Sequence, residues 1–252
     1  MKQTIVIAFL ILTSLYASCQ VSTKEDEKVG IPDSLKVEIE SNAYYIIKEA
    51  SKNDFENALR KFVTHFVSDS LNFIKKDSIL TLPILNRNNV TFKDTLNWEN
   101  EEIDSRLYRY IGNYPGINFY LVECKYYENY SCYLINKITG EITDIEGIPK
   151  ISPKQDYLIN IIEMGGMADI PIGFQIWKRN LHSNTWNLVD RSNNLAWLTD
   201  DETIKTSWYP VDFIWESDKV AILKVISFKS NDFKNNNFKD SNDCIYKKLI
   251  IK

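Results

Sequence analysis

Histidine is nearly absent. His65 and His182 are the two in a chain of 252 residues. No HxxxH, HExxH or CxxC spacing occurs, so the usual zinc frameworks are excluded and no metal or other cofactor is expected. No GxSxG elbow is present to expose a nucleophilic serine, and Gly165-Gly166 is too short a glycine run to cradle a phosphate. No catalytic residue can be assigned. Glycine and proline are sparse, at 8 and 7 residues, which excludes collagen-like and low-complexity chains. Neither charge sign dominates: 30 basic and 34 acidic residues give a net charge of −4. The chain therefore lacks the basic footprint of a nucleic-acid binder, and no nucleic-acid partner is expected. No apolar run reaches the ~20 residues that span a bilayer as a helix. What is abundant is apolar and aromatic surface, 44% and 13% of residues, with 14 Tyr and 12 Phe. That is too apolar for a disordered chain, and flat side chains favour a pleated sheet.

The N-terminus reads as an export signal. Lys2 supplies a positive start, and Thr4 to Leu15 is an uninterrupted stretch of apolar and small residues (TIVIAFLILTSL). Tyr16-Ala17-Ser18-Cys19 follows, with small residues suited to a signal-peptidase pocket directly before a cysteine. This arrangement resembles the lipobox of bacterial lipoproteins. The resemblance implies cleavage after residue 18 and acylation of Cys19, with palmitate among the acyl chains, so that the membrane becomes a partner through the anchor. An ordinary signal peptide cut near Ser18, with Cys19 incidental, is the alternative. The mature chain would be residues 19 to 252, and losing Lys2 leaves 29 basic against 34 acidic residues. Acyl chains hold by burying CH₂ groups, at ~0.8 kcal/mol each. By analogy with lipoproteins sorted on the residue after the cysteine, Gln20 is not the aspartate that retains proteins in the inner membrane. An outer-membrane location, on the periplasmic or surface face, follows. Residues 19 to 34 lack apolar periodicity and hold the charge run Lys24-Glu25-Asp26-Glu27-Lys28, which predicts a flexible tether.

Residues 35 to 82 carry the helical signal. Phe55, Leu59, Phe62 and Phe66 recur at helical spacing, and Asn53 with Glu56 has the form of a capping box. A helix over about 54 to 66 is predicted, with a weaker helical stretch over 35 to 50. Leu71-Asn72-Phe73-Ile74 extends the apolar pattern until Pro83 breaks it.

Over 83 to 252 the pattern becomes that of an antiparallel β domain. Strands are predicted at 90–92, 107–111, 117–126, 130–136, 141–145, 157–162, 174–178, 186–189, 211–215, 220–228 and 245–251. Ile138-Thr139-Gly140 closes a four-residue hairpin loop through a glycine free to take positive φ. Leu181-His182-Ser183-Asn184 is the same kind of loop with Asn in that place.

A weak internal repeat runs through this region. Ile151-Ser152-Pro153-Lys154-Gln155-Asp156-Tyr157-Leu158-Ile159 parallels Ile214-Trp215-Glu216-Ser217-Asp218-Lys219-Val220-Ala221-Ile222. Gln175–Lys178 and Cys244–Tyr246 supply the following strand of each unit, and Tyr133–Lys137 matches an earlier one. A meander of this size cannot bury its own face and must stack on a neighbour. Ser152-Pro153-Lys154-Gln155-Asp156-Tyr157-Leu158 resembles the blade signature of TolB and WD40-like β-propellers, and Thr139-Gly140-Glu141 the hairpin that closes a preceding blade. Propellers have about four to eight blades, more than three units supply. The expected fold is therefore mainly β: blade-like antiparallel meanders, partial or irregular relative to a propeller, preceded by a short α-helical segment. As a whole the chain resembles lipoproteins of the Bacteroidota, which brings no activity with it.

Three cysteines remain beside Cys19. Residues 121 to 134 read as a hairpin. With a three-residue loop, Cys124 faces Cys132 within disulfide reach. With a two- or four-residue loop the register slips by one and the thiols point to opposite faces. A Cys124–Cys132 bond and two buried free thiols both remain open, with Cys244 unpaired in either case.

Tryptophan is unevenly placed: Trp177, Trp186, Trp197, Trp208 and Trp215 fall close together. Exposed aromatic platforms bind sugars and peptides, whereas buried ones fill the core of a β domain. Carboxylate pairs such as Glu101-Glu102 or Glu216 and Asp218 could serve a glycosidase. Asp240-Ser241-Asn242-Asp243 and Asp200-Asp201-Glu202 read as polar turns. The expectation is a non-enzymatic, membrane-anchored envelope lipoprotein that binds an envelope protein or glycan. An envelope hydrolase acting on glycan or peptide and an immunity or inhibitor protein are the alternatives.

Overall fold

The computed structural model describes residues 40–41, 43–85, 87–95, 105–126, 129–164, 170–193, 208–227 and 244–252. Cys19, the predicted tether, Gly165-Gly166, Trp197 and the acidic groups at 101–102, 200–202 and 240–243 lie outside them.

Three antiparallel meanders follow one another along the chain. The first is β5 (Arg106–Tyr114), β6 (Phe119–Tyr126), β7 (Asn129–Asn136) and β8 (Ile142–Ile145), paired in that order. The second is β9 (Lys150–Ile151), β10 (Tyr157–Met164), β11 (Ile170–Asn180) and β12 (Thr185–Asn193). The third is β13 (Trp208–Ser217), β14 (Val220–Ser227) and β15 (Cys244–Ile251). Two strands from the start of the described chain complete this last sheet. β2 (Tyr45–Ala50) pairs with β15, and β1 (Glu40–Ser41) pairs with β2. A separate hairpin is formed by β3 (Ile79–Leu82) and β4 (Val90–Lys93), and the helix α1 spans Lys52–Lys61. All eleven predicted strands are present.

Alternation of side chains along the strands lets each of the three meanders bury both faces. In β6, Leu121 packs toward the second meander with Leu158, while Tyr120 and Val122 pack toward the β3–β4 hairpin with Leu80 and Leu82. In β10, Leu158 faces the first meander, and Tyr157 and Ile159 face the third. In β14, Ala221 and Leu223 face the second meander, and Ile222 faces α1 with Phe55 and Ala58. The order of layers is thus hairpin, first meander, second, third, helix. The hairpin and helix cover the two outer faces, where further sheets would stack in a propeller. The fold is a partial, open arrangement of blade-like sheets for that reason. The described strands, the helix and the four core clusters among the described residues fall within the compact unit Val37–Lys252.

The segment before residue 83 departs from the helical expectation. Helix α1 starts earlier than predicted. Ser51, not Asn53, is its cap: the Ser51 hydroxyl accepts from the Asp54 amide at 3.1 Å, and the Asp54 carboxylate accepts from the Ser51 amide at 2.8 Å. It ends at Lys61, because Phe62 is extended (φ −70°, ψ 126°) and sends its ring into the core, while the β-branched Val63-Thr64 that follow disfavour helix. Leu59 is consequently exposed, and Phe66 lies beyond the helix. The stretch expected to be a weak helix holds β1 and β2 instead. Pairing of β2 with β15, 195 positions or more along the chain, decides its conformation where local propensity was indifferent; Lys48 lies opposite Lys248, Ile47 opposite Leu249.

Candidate functional site

The segment from Phe62 to Ser78 has little regular structure, yet it is pinned to the open edge of β5. Val67 and Asn113 exchange both backbone hydrogen bonds, at 2.9 and 3.0 Å. This approach depends on Gly112, which sits at a bulge in β5. A Cβ there would lie 2.3 Å from Phe66 Cζ and 2.4 Å from the Val67 carbonyl oxygen. Beyond the bridge, the Tyr110 hydroxyl donates to Asp69 Oδ1 at 2.6 Å, and Asn72 Nδ2 donates to Asp69 Oδ2 at 2.7 Å. Phe73 then inserts edge-on between Tyr110 and Tyr120, at centroid distances of 4.9 and 5.4 Å. The segment ends where Lys76 and Ile79 exchange backbone hydrogen bonds around Asp77-Ser78, both at positive φ, the signature of a tight primed turn.

Between this segment and the sheet lies a cleft of about 450 Å³. Phe66, Phe73, Tyr110, Ile111, Leu80 and the half-exposed Ile148 supply its apolar lining. Two hydroxyls, of Ser68 and Ser70, and two cations, of Lys75 and Arg109, complete the lining. Lys75 Nζ reaches Asp94 Oδ2 at 2.5 Å. Arg109 directs Nε and Nη2 to the Glu123 Oε2 at 3.0 and 2.9 Å, with 64% of its side chain exposed. Neither carboxylate partner lines the cleft, so the lining carries positive charge without negative charge.

A second cleft of about 550 Å³ is bounded by Tyr120, Lys137, Ile84 and Leu85. Lys137 Nζ donates to Asn113 Oδ1 at 2.7 Å and lies 4.6 Å above the Tyr120 ring. Burial pushes the Lys137 ammonium below its ordinary pKa, partly opposed by Asp69. Asp69 itself is held below the ordinary carboxyl value. Its desolvation works the other way and is outweighed by hydrogen bonds from Tyr110, Asn113 and Asn72. Burial and the Asp69 partner push the Tyr110 hydroxyl well above its usual range.

Of the two readings left open for the tryptophans, platform or core, the four that are described take the core one. Trp177, Trp186, Trp208 and Trp215 are each at most 9% exposed and fill the layers on either side of the second meander. Trp177 Nε1 donates to Asn160 Oδ1 at 3.2 Å and Trp215 Nε1 to the Lys150 carbonyl at 2.9 Å, so their polar edges serve packing as well. No ligand platform is formed by them, because alternation along β11, β12 and β13 turns these rings inward.

Of the two outcomes left open for Cys124 and Cys132, the structure takes the unbridged one. Tyr126 pairs with Asn129, leaving a two-residue connection, and Cys124 lies opposite Ser131 while Cys132 lies opposite Glu123. The one-residue slip puts Cys132 in the core between the first two meanders and Cys124 on the opposite face. Both thiols are buried, and neither they nor Cys244 is in a disulfide.

Of the cleft residues, the sequence marked Phe66 and Phe73, and those only as parts of an apolar pattern. The run Leu71-Asn72-Phe73-Ile74 held the available signal, since two of its three apolar side chains, Leu71 and Ile74, are 84% and 80% exposed. Among the described residues, no group of three His, Cys, Asp or Glu is placed to hold a metal ion, and no helix is long and apolar enough to cross a membrane. Compared with known family models, curated proteins and solved structures, the chain gives no match.

Proposed function

We propose that this chain is a lipoprotein of the bacterial envelope, acylated at Cys19 and held at the outer membrane, whose layered sheets bind a ligand rather than transform one. The sequence from Lys2 to Cys19 supports the anchor. The observation that carries binding is the cleft beneath residues 66 to 75: an aromatic wall with two cations, each cation also held by a carboxylate outside the lining. Such a wall offers contact area and charge recognition.

Two measurements test the reading. Cells expressing the protein are labelled with a palmitate analogue and fractionated. Label and outer-membrane retention are expected for the wild type, and loss of both for Cys19→Ser; continued labelling of the variant overturns the anchor. Native mass spectrometry of the exported protein addresses binding. A small-molecule adduct is expected, and it is expected to be absent from Ser70→Trp, which fills the cleft from an exposed position. A wild-type protein free of any adduct that the tryptophan variant lacks overturns the binding role.

A further inference from the structure

We propose that the open edge of β5 at Tyr110 pairs, inside this cleft, with a short extended peptide of apolar residues, added as one more strand. The proposal rests on the binding reading above and names the ligand class for that site.

Hydrogen-bond parity along β5 identifies the unspent backbone groups. In an antiparallel ladder, successive residues direct their N–H and C=O to opposite sides of the strand. Arg106 exchanges both backbone bonds with Thr95, at 2.8 and 3.0 Å, and so faces away from β6. The register with β6 is unbroken from Arg106 to Tyr110, which turns Tyr108 and Tyr110 outward as well. The Tyr108 amide accordingly donates to Asp94 Oδ1 at 2.9 Å. Past the bulge, Asn113 is outward and is held by Val67. The Tyr108 carbonyl and both backbone groups of Tyr110 are left without a partner among the described residues. Ile111, the extra residue of the bulge, lies outside the ladder. Tyr110 is 2% exposed, so water does little for these groups, and a buried backbone N–H or C=O calls for a partner.

The cleft is placed to admit one. Its lining comes from both faces of the sheet. Tyr110, Leu80 and Phe73 belong to the layer shared with the β3–β4 hairpin, whereas Phe66 and Ile111 pack into the layer toward the second meander. A cleft lined from both faces of one strand lies along its edge, where an added strand goes. Ser68, Ser70 and Arg109 are exposed, so the cleft reaches solvent.

These features select the occupant. An extended peptide brings a donor and an acceptor at each residue, with the spacing of a strand, and an acyl chain brings neither. Peptide side chains alternate between the two faces, and the cleft is apolar on both, so consecutive apolar residues fit. The flanking bridges set the length. Thr95 closes the edge at Arg106 and Val67 closes it at Asn113, which leaves the outward positions Tyr108 and Tyr110 and room for about three paired residues. Lys75 and Arg109 already hold Asp94 and Glu123, so the probe carries no charge.

The exported protein, extracted in detergent, is placed in deuterated water with and without acetyl-Val-Ile-Val-amide, and amide exchange is read residue by residue. Without peptide, the Tyr110 amide should exchange faster than that of Arg109, which bonds within the ladder. The peptide should slow Tyr110 about tenfold or more and leave Arg109 unchanged. The same peptide N-methylated at every amide keeps its side chains, loses its donors, and should give Tyr110 no protection. Ser70→Trp, on the exposed rim, should abolish the protection, with a melting curve matching wild type; the N-methylated peptide supplies the parallel control on unaltered protein. A Tyr110 amide as protected as Arg109 without peptide, no slowing by the peptide, equal slowing by the N-methylated form, or full protection in Ser70→Trp overturns the proposal. If the peptide fails while the exported protein still carries an adduct that Ser70→Trp lacks, the ligand class is wrong and the binding role stands. If both fail, the binding role falls as well.

Discussion

Asp218 caps a turn that belongs to a different sheet, the one containing Ser152. Its Oδ1 accepts the Ser152 hydroxyl at 2.7 Å and the Lys154 amide at 3.0 Å, while the Ser152 oxygen accepts the Tyr157 amide at 3.1 Å. Ser152 is fully buried. The two residues belong to the two copies of the repeated segment, so the turn of one unit is satisfied by the turn of the next. Gln155, at φ 65°, lets the chain reverse between them. Lys150 reinforces the same seam by donating to the Phe213 carbonyl at 2.7 Å and accepting from Trp215.

Replacing Asp218 with Ala should therefore loosen two sheets at once. The buried Ser152 hydroxyl and the Lys154 amide would lose their acceptor, at an expected cost of about 1–3 kcal/mol. Asp218→Asn keeps an oxygen there and should lose less. Urea denaturation of both, with Ser152→Ala and the double variant, measures the coupling. Additive losses would show that the bond does not join the units.

Gly112→Ala should cost about 1–3 kcal/mol through overpacking, because its Cβ would meet a backbone oxygen and an aromatic ring at once. The segment from Phe62 to Ser78 should lift from β5, and limited proteolysis should cut there faster than in the wild type. Equal stability and equal cleavage rates would place the segment elsewhere.

Asp69→Asn should reveal a pH-dependent contribution. The folded carboxyl titrates below its ordinary value of 3.8, so the unfolded chain takes up the proton first as pH falls. The stabilisation is present above the unfolded value and is lost as pH drops through the folded one. The difference in Tm between wild type and Asp69→Asn should be constant from about pH 7 to about pH 5 and shrink below 3.8. A gap that persists into strong acid contradicts this role for the carboxylate.

Cys124 and Cys132 should be recovered as free thiols. Burial pushes the Cys124 thiol up, and both side chains are at most 1% exposed. Alkylation should be slow in the folded protein and complete in denaturant, and a reductant should leave the Tm unchanged. A peptide linking the two cysteines in a digest of the unreduced protein would refute the register.

Local sequence determined the strands and many of their turns. From residue 88 onward, short runs of aromatic and β-branched residues alternate with turn residues, and such runs bounded by turns specify strands. Gly140 at φ 74° and Asn184 at φ 53° occupy the left-handed positions their hairpins require, a backbone preference carried by the residues themselves. The helix centre was legible through Phe55 and Ala58. Its ends were not, because Ser51 and Asn53 are both good caps and the choice depends on where Phe62 must enter the core. Tertiary structure decided the rest. Tyr45–Ala50 is a strand because β15 offers an open edge far along the chain. The cysteine register turned on a single residue of loop length, which composition does not specify. The tryptophans could have faced either way, and stacking both faces of the second meander turned those described inward. The cleft has no sequence signature, because the segment holding Phe66 and Lys75, the strand holding Arg109 and the loop holding Ile148 are separate stretches that meet only where the first is laid along β5 at Gly112.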